Sequence, residues 1–467
     1  MEEKVQNSFL FFLLVIFLTV FTASSDSFPS LIWPESEPLE FDPESSNTLT
    51  LPLHHVDVLF FNKTSEELFY LMLQRDAARV KAFTSKAAGE ESNKTQLRFP
   101  RSRKGFRSPI ISGFPHGTGA YYTRIGIGTP PRYVNLFLDT GSDVIWLQCK
   151  PCKICYNQTD EIFDPEKSTS FDEISCNSSL CQLQDQPGCN QKNQCQYQVT
   201  YGDGSGTSGD LSTETLTVGK TRLQRITFGC GHDNEGDFGG TAGLMGIGGG
   251  SLSFLGQVGT RFNKKFSYCL VDRSHSQKPS SIIFGDSAIP RTARFTPLLK
   301  NPNPRLNGFY YVELLGISVD GIPVRGISPS LFRFDQYGNG GVIIDSGTTV
   351  TQLIKPAYLA FRNAFRVAAA HLKRGPETES FDTCYDLSGL REAKVPTVVL
   401  HFRDVDVSLP AKNVLATLKT NKTGPSCFAF AQWGGPFSII GNIQQQGIRI
   451  AYDLAGSRVG FAPRECV

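Results

Sequence analysis

The sequence predicts a mostly β protein built from two related halves, preceded by a segment of different character. From Ala120 onward, short apolar and aromatic runs alternate with turn residues, as in antiparallel β proteins. A motif containing an aspartate occurs twice at the end of an apolar run, which is typical of a duplicated unit. The length of 467 residues exceeds one ordinary compact domain and accommodates two lobes together with removable segments.

The N-terminus has the order of features found in secretory signal peptides. Lys4 precedes an apolar run from Phe9 to Phe21, and the small residues Ala23-Ser24-Ser25 follow. The run covers about 13 residues, fewer than the roughly 20 that a membrane-spanning helix needs. We therefore expect residues 1–25 to be a signal peptide and the protein to be secreted. An uncleaved membrane anchor is the alternative.

Residues 26–110 differ in composition from the rest and predict a propeptide. The stretch Phe28 to Thr50 is rich in Pro, Glu and Ser without strong periodicity, whereas Ser65 to Phe83 has the apolar spacing of an amphipathic helix. From Lys94 to Arg107 there are six cations and no acidic residue. A disordered basic linker would also explain this composition. We expect instead a prosegment whose Lys and Arg side chains reach an acidic cleft and hold it closed before activation.

The β-rich region is expected to form an N-terminal lobe over 118–300 and a C-terminal lobe over 301–467. One clear helix is predicted late in the chain, from Lys355 to Leu372, with a proline near its start and apolar residues at helical spacing. Representative strands are predicted at Tyr121–Ile125, Val134–Leu138, Arg225–Phe228 and Ser281–Phe284.

Cysteine usage favours an oxidising compartment. All 12 cysteines lie at or after position 149 and their number is even, which suits a disulfide framework. Cys149, Cys152 and Cys155 form overlapping C-x-x-C units that would suggest zinc or redox chemistry in a cytosolic protein; after a signal peptide, disulfides are favoured. Five N-glycosylation sequons also favour secretion. They begin at Asn62, Asn93, Asn157, Asn177 and Asn421.

Charge and motif content argue against several classes of function. The net charge of +2 gives no electrostatic reason to expect a nucleic acid partner. The segment Gly204–Gly209 satisfies G-x-G-x-x-G but lacks a surrounding βαβ pattern, so no dinucleotide site is expected. P-loop, H-E-x-x-H and G-x-S-x-G motifs are absent. We expect no metal, no cofactor and no stable membrane association after signal cleavage.

An internal repeat carries the candidate chemistry. The segment Leu136–Ser142 (LFLDTGS) is matched by Val342–Thr348 (VIIDSGT), so each apolar run ends in Asp, a hydroxyl residue, glycine and a second hydroxyl residue. Each copy is trailed by an apolar run with glycine, Gly243–Gly246 after the first and Ser438–Gly441 after the second. One such triplet is uninformative because Asp and Gly form ordinary turns. Two copies with their own trailing runs indicate a paired carboxylate site.

These motifs resemble those of the pepsin-type aspartic peptidases, and the chain is most similar to their nepenthesin-like branch in plants. The resemblance covers the chain from about Ala120 to Cys466. It implies a bilobal fold of two related six-stranded β-lobes with the active-site cleft between them. It also implies a secreted endopeptidase that acts on peptide or protein substrates, at acidic pH, as a monomer. The expected location is the apoplast or cell wall, with the vacuole as second choice.

The resemblance implies Asp139 and Asp345 as the catalytic pair. Two carboxylates held close together cannot both ionise cheaply, so they share a proton and bind one water between them. The ionised partner takes a proton from this water as it attacks the peptide carbonyl, and the protonated partner donates to the carbonyl oxygen. The hydroxyls of Ser142 and Thr348 are expected to hydrogen-bond the outer carboxylate oxygens and hold the pair in register.

A flap completes the expected site. The segment Tyr201–Ser205 (YGDGS) resembles the hairpin tip of the family, which implies that Tyr201 closes over the bound peptide. Trp146 matches the residue that pairs with the hydroxyl of that tyrosine. Without the aspartates, Tyr201 would be an ordinary aromatic residue beside a turn and Trp146 a core residue. We expect Trp146 to fill both roles.

The resemblance also implies a disulfide pattern that the cysteine spacing alone does not give. The stretch from Cys149 to Cys195 is expected to form an insertion in the N-terminal lobe. The implied pairs are Cys149–Cys152, Cys155–Cys230, Cys176–Cys195, Cys181–Cys189, Cys269–Cys466 and Cys384–Cys427.

A second interpretation assigns the chain to a class without catalysis. Some plant proteins of this architecture resemble cell-wall inhibitors or binding proteins that have lost part of the catalytic constellation. This sequence keeps both aspartate motifs and the flap tyrosine. It departs from the commoner pattern at Ser346, where threonine is usual, and the hydroxyl is retained. The sequence therefore favours the enzyme, with a catalytically weak or inactive inhibitor or binding protein as the alternative.

Overall fold

The computed structural model describes most of the chain from Tyr121 onward and a few residues before it. The described ranges are 48–59, 67, 76, 121–184, 187–201, 205–236, 238–271, 280–377, 381–390, 392–417, 425–463 and 465–466. The predicted signal peptide, the basic stretch and the sequons at Asn62, Asn93 and Asn421 lie outside these ranges. So does the helix predicted at Ser65 to Phe83, apart from Glu67 and Asp76.

The described chain is mostly β, as predicted, and its α-helices are few. Within the described ranges the helices are α1 (Phe254–Val258), α2 (Lys355–Ala368), α3 (Ala411–Val414) and α4 (Asn442–Gln445). The strands before α1 are β1 (Leu49–His55), β2 (Tyr121–Ile127), β3 (Arg132–Asp139), β4 (Trp146–Gln148), β5 (Asp172–Glu173), β6 (Gly188–Cys189), β7 (Cys195–Thr200), β8 (Gly206–Val218), β9 (Thr221–Glu235) and β10 (Gly243–Gly246).

The remaining strands follow α1. They are β11 (Lys265–Tyr268), β12 (Ser280–Phe284), β13 (Arg294–Leu299), β14 (Tyr311–Val312), β15 (Leu314–Val319), β16 (Ile322–Pro323), β17 (Val342–Ile344), β18 (Thr351–Ile354), β19 (Cys384–Tyr385), β20 (Val398–Phe402), β21 (Val405–Leu409), β22 (Leu415–Thr417), β23 (Ser426–Phe428), β24 (Phe430–Trp433), β25 (Ser438–Ile440), β26 (Ile448–Asp453) and β27 (Arg458–Pro463).

The predicted elements lie where the sequence indicated. The four representative strands fall within β2, β3, β9 and β12, and the late helix begins at Lys355 as predicted. That helix ends at Ala368, four residues before the predicted end, because Ala369 leaves helical geometry with φ −89° and ψ 14°. Its buried residues Tyr358, Phe361 and Phe365 recur at helical spacing, and this periodic apolar pattern is what predicted the helix.

Each half of the molecule contains an apolar strand paired on both edges. In the first half, β3 pairs antiparallel with β2 and parallel with β10. In the second half, β17 pairs antiparallel with β14 and parallel with β25. Neighbours on both edges explain why the ends of β3 and β17 are buried and read as continuous apolar runs.

An antiparallel sheet draws strands from both halves. Its neighbours in order are β1, β12, β11, β26, β27 and β13. We call this six-strand set the shared sheet. Its edge strand β1 comes from the segment before Ala120, and it alternates buried Leu49, Leu51 and Leu53 with less buried residues, the pattern of a half-buried strand.

The disulfide pairs around Cys149 differ from those that the resemblance implied. Cys149 pairs with Cys230, and Cys152 pairs with Cys155, instead of Cys149–Cys152 and Cys155–Cys230. The reason is strand pairing: β4 runs parallel to β9, and the N–H of Cys149 donates to the carbonyl of Gly231. This contact places the buried Cys149 beside Cys230, with a Cα–Cα distance of 5.3 Å.

The pairs within the following stretch also differ from the expected ones. Cys176 pairs with Cys189 and Cys181 with Cys195, instead of Cys176–Cys195 and Cys181–Cys189. Cys181 and Cys195 are both buried in one apolar cluster, so they meet inside it, whereas Cys189 is exposed. The pairs Cys269–Cys466 and Cys384–Cys427 are confirmed.

Among the residues that the structure describes, no helix is both long enough and apolar enough to span a bilayer.

Candidate active site

Both repeated aspartates lie at the ends of buried strands, in equivalent positions of the two halves. Asp139 is the last residue of β3, and the parallel register of β10 places Gly246 beside it. Asp345 follows β17 directly, and its N–H donates to the carbonyl of Ile440 at the end of β25 over 3.1 Å. Both aspartates are fully buried, with 0 % of their surface exposed. The trailing apolar runs of the repeat therefore support the two aspartates directly.

The two carboxylates have matching hydrogen bonds. Asp139 accepts from the hydroxyl of Ser142 at 2.5 Å and from the N–H of Gly141 at 2.9 Å, one bond to each oxygen. In the second half, the hydroxyl of Thr348 donates to one oxygen of Asp345 at 2.6 Å and the N–H of Gly347 to the other at 3.0 Å, where the hydroxyl of Thr140 adds a longer bond of 3.4 Å. Ser142 and Thr348 thus lie where the sequence predicted, and each carboxylate is held at both oxygens.

The other hydroxyl of each motif joins the two loops to each other. The N–H of Ser346 donates to the hydroxyl of Thr140 at 2.8 Å, and the N–H of Thr140 donates to the hydroxyl of Ser346 at 3.2 Å. The hydroxyls donate onward across the halves: Ser346 to the carbonyl of Leu138 and Thr140 to that of Ile344, each at 3.4 Å. These reciprocal bonds bring the motifs together from opposite halves of the chain.

Trp146 and Tyr201 contact each other as predicted. The indole N–H of Trp146 donates to the hydroxyl of Tyr201 at 2.8 Å, and Trp146 is itself fully buried. The N–H of Tyr201 donates to the carbonyl of Ser205 at 2.8 Å, which closes the hairpin between β7 and β8. Residues 202–204 at its tip lie outside the described ranges.

An aromatic cluster beneath Tyr201 was not predicted from the sequence. The ring of Phe238 packs edge-on against Trp146 at 4.8 Å and against Tyr201 at 5.7 Å between centroids. Tyr156, from the Cys-rich stretch, lies 5.0 Å from Phe238. Phe238 lies in a Gly-rich segment without periodicity, so no sequence pattern indicated this contact.

Amide side chains of α4 also reach the aspartate loop and were missed. The side-chain N–H of Asn442 donates to the carbonyl of Ser346 at 3.0 Å, and that of Gln445 donates to the carbonyl of Asp345 at 3.1 Å. All four residues of α4 are buried. Consecutive amides directly after the apolar run Ser438–Gly441 were the available signal, because buried amides require specific partners.

A carboxylate from the N-terminal segment reaches the loop that follows Asp345. Asp76, only 3 % exposed, accepts from the N–H of Thr349 at 2.6 Å with one oxygen and from the N–H of Val350 with the other. The sequence predicted that Lys and Arg side chains of this segment hold the cleft closed. The basic stretch lies outside the described ranges, and the contact that the structure describes is made by an acidic side chain.

Buried phenols lie near Asp345 in the shared sheet. Burial raises the pKa of Tyr268 and of Tyr452, and the negative charge of Asp345 acts in the same direction on each pKa. Burial likewise raises the pKa of Tyr310, which lies outside the shared sheet and packs against Tyr452 with ring centroids 4.6 Å apart. All three therefore stay neutral hydrogen-bonding groups at any pH at which the site would work.

A histidine–carboxylate pair is formed by Asp210 on β8 and His232 on β9, next to the Cys-rich stretch. The ring nitrogens of His232 face the carboxylate of Asp210 at 3.1 Å and the carbonyl of Pro151 at 3.0 Å. The hydrogen bond that the ring of His232 donates to Asp210 raises the pKa of His232, and the same bond lowers the pKa of Asp210.

The last two features of the described residues concern metal ligation and glycosylation. In the part of the chain that the structure describes, no group of three or more His, Cys, Asp or Glu side chains is arranged to hold a metal ion. The two sequon asparagines within it, Asn157 and Asn177, are both exposed.

Comparison with known proteins places the chain in a family. The family described as xylanase inhibitor N-terminal matches residues 121–286, and the family described as xylanase inhibitor C-terminal matches residues 309–463. Aspartyl protease family protein 2 of Arabidopsis thaliana is 58% identical, covering 99% of this chain and 99% of its own length. Aspartic proteinase nepenthesin-1 of Nepenthes gracilis is 39% identical, covering 75% of this chain and 79% of its own.

Solved structures share the fold at low sequence identity. The crystal structure of edgp has a TM-score of 0.62 and 21% identity, and the match covers 74% of this chain and 92% of that one. Basic 7S globulin from soybean has a TM-score of 0.61 and 18% identity, covering 89% of this chain and 96% of the other. With the fold, the paired aspartates and the sequence relatives in agreement, this chain belongs to the pepsin-like aspartic protease family of plants, in its nepenthesin-like branch.

Proposed function

We propose that this protein is a secreted aspartic endopeptidase that hydrolyses peptide bonds with a water activated between Asp139 and Asp345. One observation carries the proposal: the two carboxylates have the same hydrogen-bond pattern at equivalent positions, and their loops are bonded to each other. Relatives named as aspartic proteases that match nearly the whole chain support it.

The arrangement suits general acid–base catalysis by a coupled carboxylate pair. Because two adjacent carboxylates resist double ionisation, one is protonated and the other ionised over a broad acidic range. The ionised member accepts a proton from water as the water attacks the scissile carbonyl, and the protonated member donates to the carbonyl oxygen. The member that took the proton from water then gives it to the amide nitrogen as the C–N bond breaks, and the other member takes a proton back from a hydroxyl of the tetrahedral intermediate. The hydroxyls of Ser142 and Thr348 donate to the carboxylates and hold them in this geometry. No metal or cofactor takes part in this scheme.

Tyr201 is the residue that we assign to closing over the substrate. Its hydroxyl is anchored by Trp146 and its ring rests on Phe238, so Tyr201 is held in place at the base of the hairpin. A peptide held beneath such a flap is shielded from water, which strengthens the electrostatic interactions in the site. The substrate is therefore a peptide or protein chain bound in extended form.

The N-terminal segment is assigned to a removable prosegment. We assign residues 1–25 to a signal peptide, 26–110 to the prosegment, and 118–300 and 301–467 to the two catalytic lobes. The contact of Asp76 with the amides of Thr349 and Val350 supports this division, because it places the segment against the loop that follows Asp345. Cutting the segment away would release this contact.

Secretion and glycosylation belong to the same proposal. Six disulfides without a free cysteine among the described residues suit an oxidising compartment. The exposed asparagines of two sequons suit glycan attachment at Asn157 and Asn177, and Asn421 is the third candidate. We propose a monomer that works in the apoplast or cell wall, with the vacuole as second choice.

A second candidate function is inhibition or binding without catalysis. The family descriptions that match this chain name a xylanase inhibitor, which is the observation in its favour. The intact hydrogen bonds at both aspartates favour the peptidase, because a protein that had lost catalysis would have no need to keep both carboxylates buried and equivalent.

One experiment separates the two candidates. The secreted full-length protein is purified, acidified and incubated with a denatured protein substrate, with and without pepstatin. The peptidase predicts pepstatin-sensitive cleavage that follows loss of the N-terminal segment. Absence of cleavage after that segment has been removed, together with binding to a xylanase, would establish the alternative.

A further inference from the structure

The two halves differ in how the backbone carbonyl of each aspartate is held. The carbonyl of Asp139 accepts from the backbone N–H of Ile247, one residue after β10, at 2.8 Å. The carbonyl of Asp345 accepts from the side-chain amide of Gln445 at 3.1 Å. A side chain thus does in the second half what a backbone group does in the first.

The start of α4 explains this difference. Gly246, the last residue of β10, and Gly441, which follows β25, occupy matching positions beside the two aspartates, but the chains then diverge. Asn442, which follows Gly441, begins α4 and donates its N–H to the carbonyl of Thr348 at 2.7 Å. That backbone donor is therefore used elsewhere. The buried carbonyl of Asp345 needs another donor, because an unpaired buried acceptor costs free energy.

Gln445 is fixed by partners on all of its amide atoms. The side chain is 1 % exposed, and its N–H groups donate to Asp345 and also to the carbonyl of Ile440 at 2.9 Å. Its oxygen accepts from the hydroxyl of Tyr268 at 2.6 Å. Two carbonyls can only accept and must face the amide nitrogen, so one orientation of the amide fits. Because Tyr268 lies on β11, its hydrogen bond anchors the amide of Gln445 to the shared sheet.

We propose that Gln445 is a positioning residue for the reaction of the carboxylate pair. It connects the backbone of Asp345 to the shared sheet and so fixes where the carboxylate of Asp345 lies relative to that of Asp139. This inference rests on the proposed peptidase function. Without the amide, the peptide unit between Asp345 and Ser346 can rotate, and the bond from Ser346 to Thr140 moves with it.

The neighbouring Gln444 provides a matched control. It lies in the same helix, is 2 % exposed, and its amide likewise bonds in three directions: it donates to the carbonyls of Asn413 and Ala429 and accepts from Thr351. None of these bonds goes to Asp345. Replacing either glutamine by methionine keeps the length of the side chain and removes its hydrogen bonds, so the two variants lose comparable buried partners.

The first test compares Gln445→Met with Gln444→Met, with each rate divided by the concentration of folded sites titrated with pepstatin. We expect kcat of Gln445→Met to fall by about ten- to a hundredfold, with KM within about twofold, because only the geometry of the reacting groups changes. Gln444→Met is expected to lose stability and to keep its kcat per folded site. Equal kcat values for the two variants would overturn the proposal.

The variant Gln445→Glu tests the positioning role of Gln445 if Gln445→Met fails to fold. In Gln445→Glu, the protonated carboxyl can still donate to the carbonyl of Asp345, whereas the ionised form cannot. Its kcat should therefore be close to that of the unmodified protein at the acid end of the pH profile and fall at a lower pH than in the unmodified protein. A profile that coincides with the unmodified protein overturns the positioning role. If the unmodified protein cleaves nothing, the proposed function has failed instead.

Discussion

At the scale of single residues, Ser346 shows how a small change from the common family pattern is accommodated. Its hydroxyl accepts from the N–H of Thr140 and donates to the carbonyl of Leu138. Both bonds need an oxygen on Cβ and neither needs the methyl group that threonine would add. The reciprocal contact between the two loops therefore depends on the hydroxyl alone.

Removing that hydroxyl is expected to weaken the contact between the halves. Ser346→Ala leaves the buried N–H of Thr140 without its acceptor, which should cost about 1–3 kcal/mol of unfolding free energy. Ser346→Thr keeps the oxygen and is the matched control, with a smaller expected loss. Urea denaturation of the three proteins measures the difference. Equal stability of the alanine and threonine variants would show that the hydrogen bonds at this position contribute nothing.

His232 predicts a dependence of stability on pH. Its pKa is raised by Asp210, so its stabilising contribution is complete below its ordinary pKa of 6.5 and is lost as the pH rises through the pKa in the folded protein. The pKa of Asp210 is lowered, so its contribution is present above its ordinary pKa of 3.8 and is lost as the pH falls through the lowered value. The window of greatest stabilisation therefore lies between the ordinary pKa values of 3.8 and 6.5, and the nearby positive charge of Lys153 partly offsets the rise in the pKa of His232.

The substitution His232→Gln tests this window. The pair is partly exposed and screened by solvent, so we expect a loss of about 1 kcal/mol or less near pH 5.5 and a smaller loss near pH 9. Urea unfolding of both proteins at the two pH values measures it. A loss that is the same at both would mean that the charge of His232 has no part in stability.

At the scale of elements, the sequence predicted those whose pattern is complete within a short window. The helix α2 was predicted because its buried residues recur at helical spacing, and the ends of β3 and β17 because burial there gives an unbroken apolar run. The strand β1 was not predicted, although Leu49, Leu51 and Leu53 alternate with less buried residues. It follows a Pro- and Glu-rich stretch, and its partners β12 and β2 lie far away in sequence.

The same limit applies to the site. Asp139, Asp345, Ser142 and Thr348 were predicted because they recur in a repeat, and the structure brings them together as expected. Gln445 has no counterpart in the first half, so a repeat could not reveal it. The contacts of Asp76 and Phe238 likewise depend on folding across long separations, which no local pattern encodes.

The contact of Asp76 with the loop after Asp345 predicts that this residue slows removal of the N-terminal segment from the precursor. Asp76→Asn keeps the shape of the side chain but replaces one acceptor oxygen by a donor that faces the N–H groups of Thr349 and Val350. We expect the variant precursor to lose its N-terminal segment faster on mild acidification than the unmodified precursor. Gel electrophoresis over time measures the rate. A rate equal to that of the unmodified precursor would contradict the role of Asp76.

At the scale of the whole molecule, the two halves are joined by the shared sheet and closed by disulfides. Cys269, just after β11, pairs with Cys466 near the C-terminus, so the last strand of the chain is tied to the same sheet. Sequence could not decide the pairs in the first half, because several cysteines lie close together there. Burial and strand pairing decide them instead.

A disulfide map of the non-reduced protein tests these pairs. Cleavage after Lys153 separates Cys149 and Cys152 from Cys155. With the pairs of the structure, the tryptic peptide 133–153 is linked both to 154–167 and to 226–261. With the pairs implied by the resemblance, 154–167 is linked to 226–261 and 133–153 stays alone. Mass spectrometry after deglycosylation distinguishes the two patterns.

The central claim is that Asp139 and Asp345 together carry out peptide hydrolysis. The most direct test measures cleavage of a denatured protein at acidic pH by the mature protein, by Asp139→Asn and by Asp345→Asn. The asparagine keeps the size of each side chain and removes the acid–base function, so each variant should lose activity by a factor of at least about 1,000 while keeping its fold by circular dichroism. Pepstatin-sensitive cleavage at the normal rate by either variant would contradict the account.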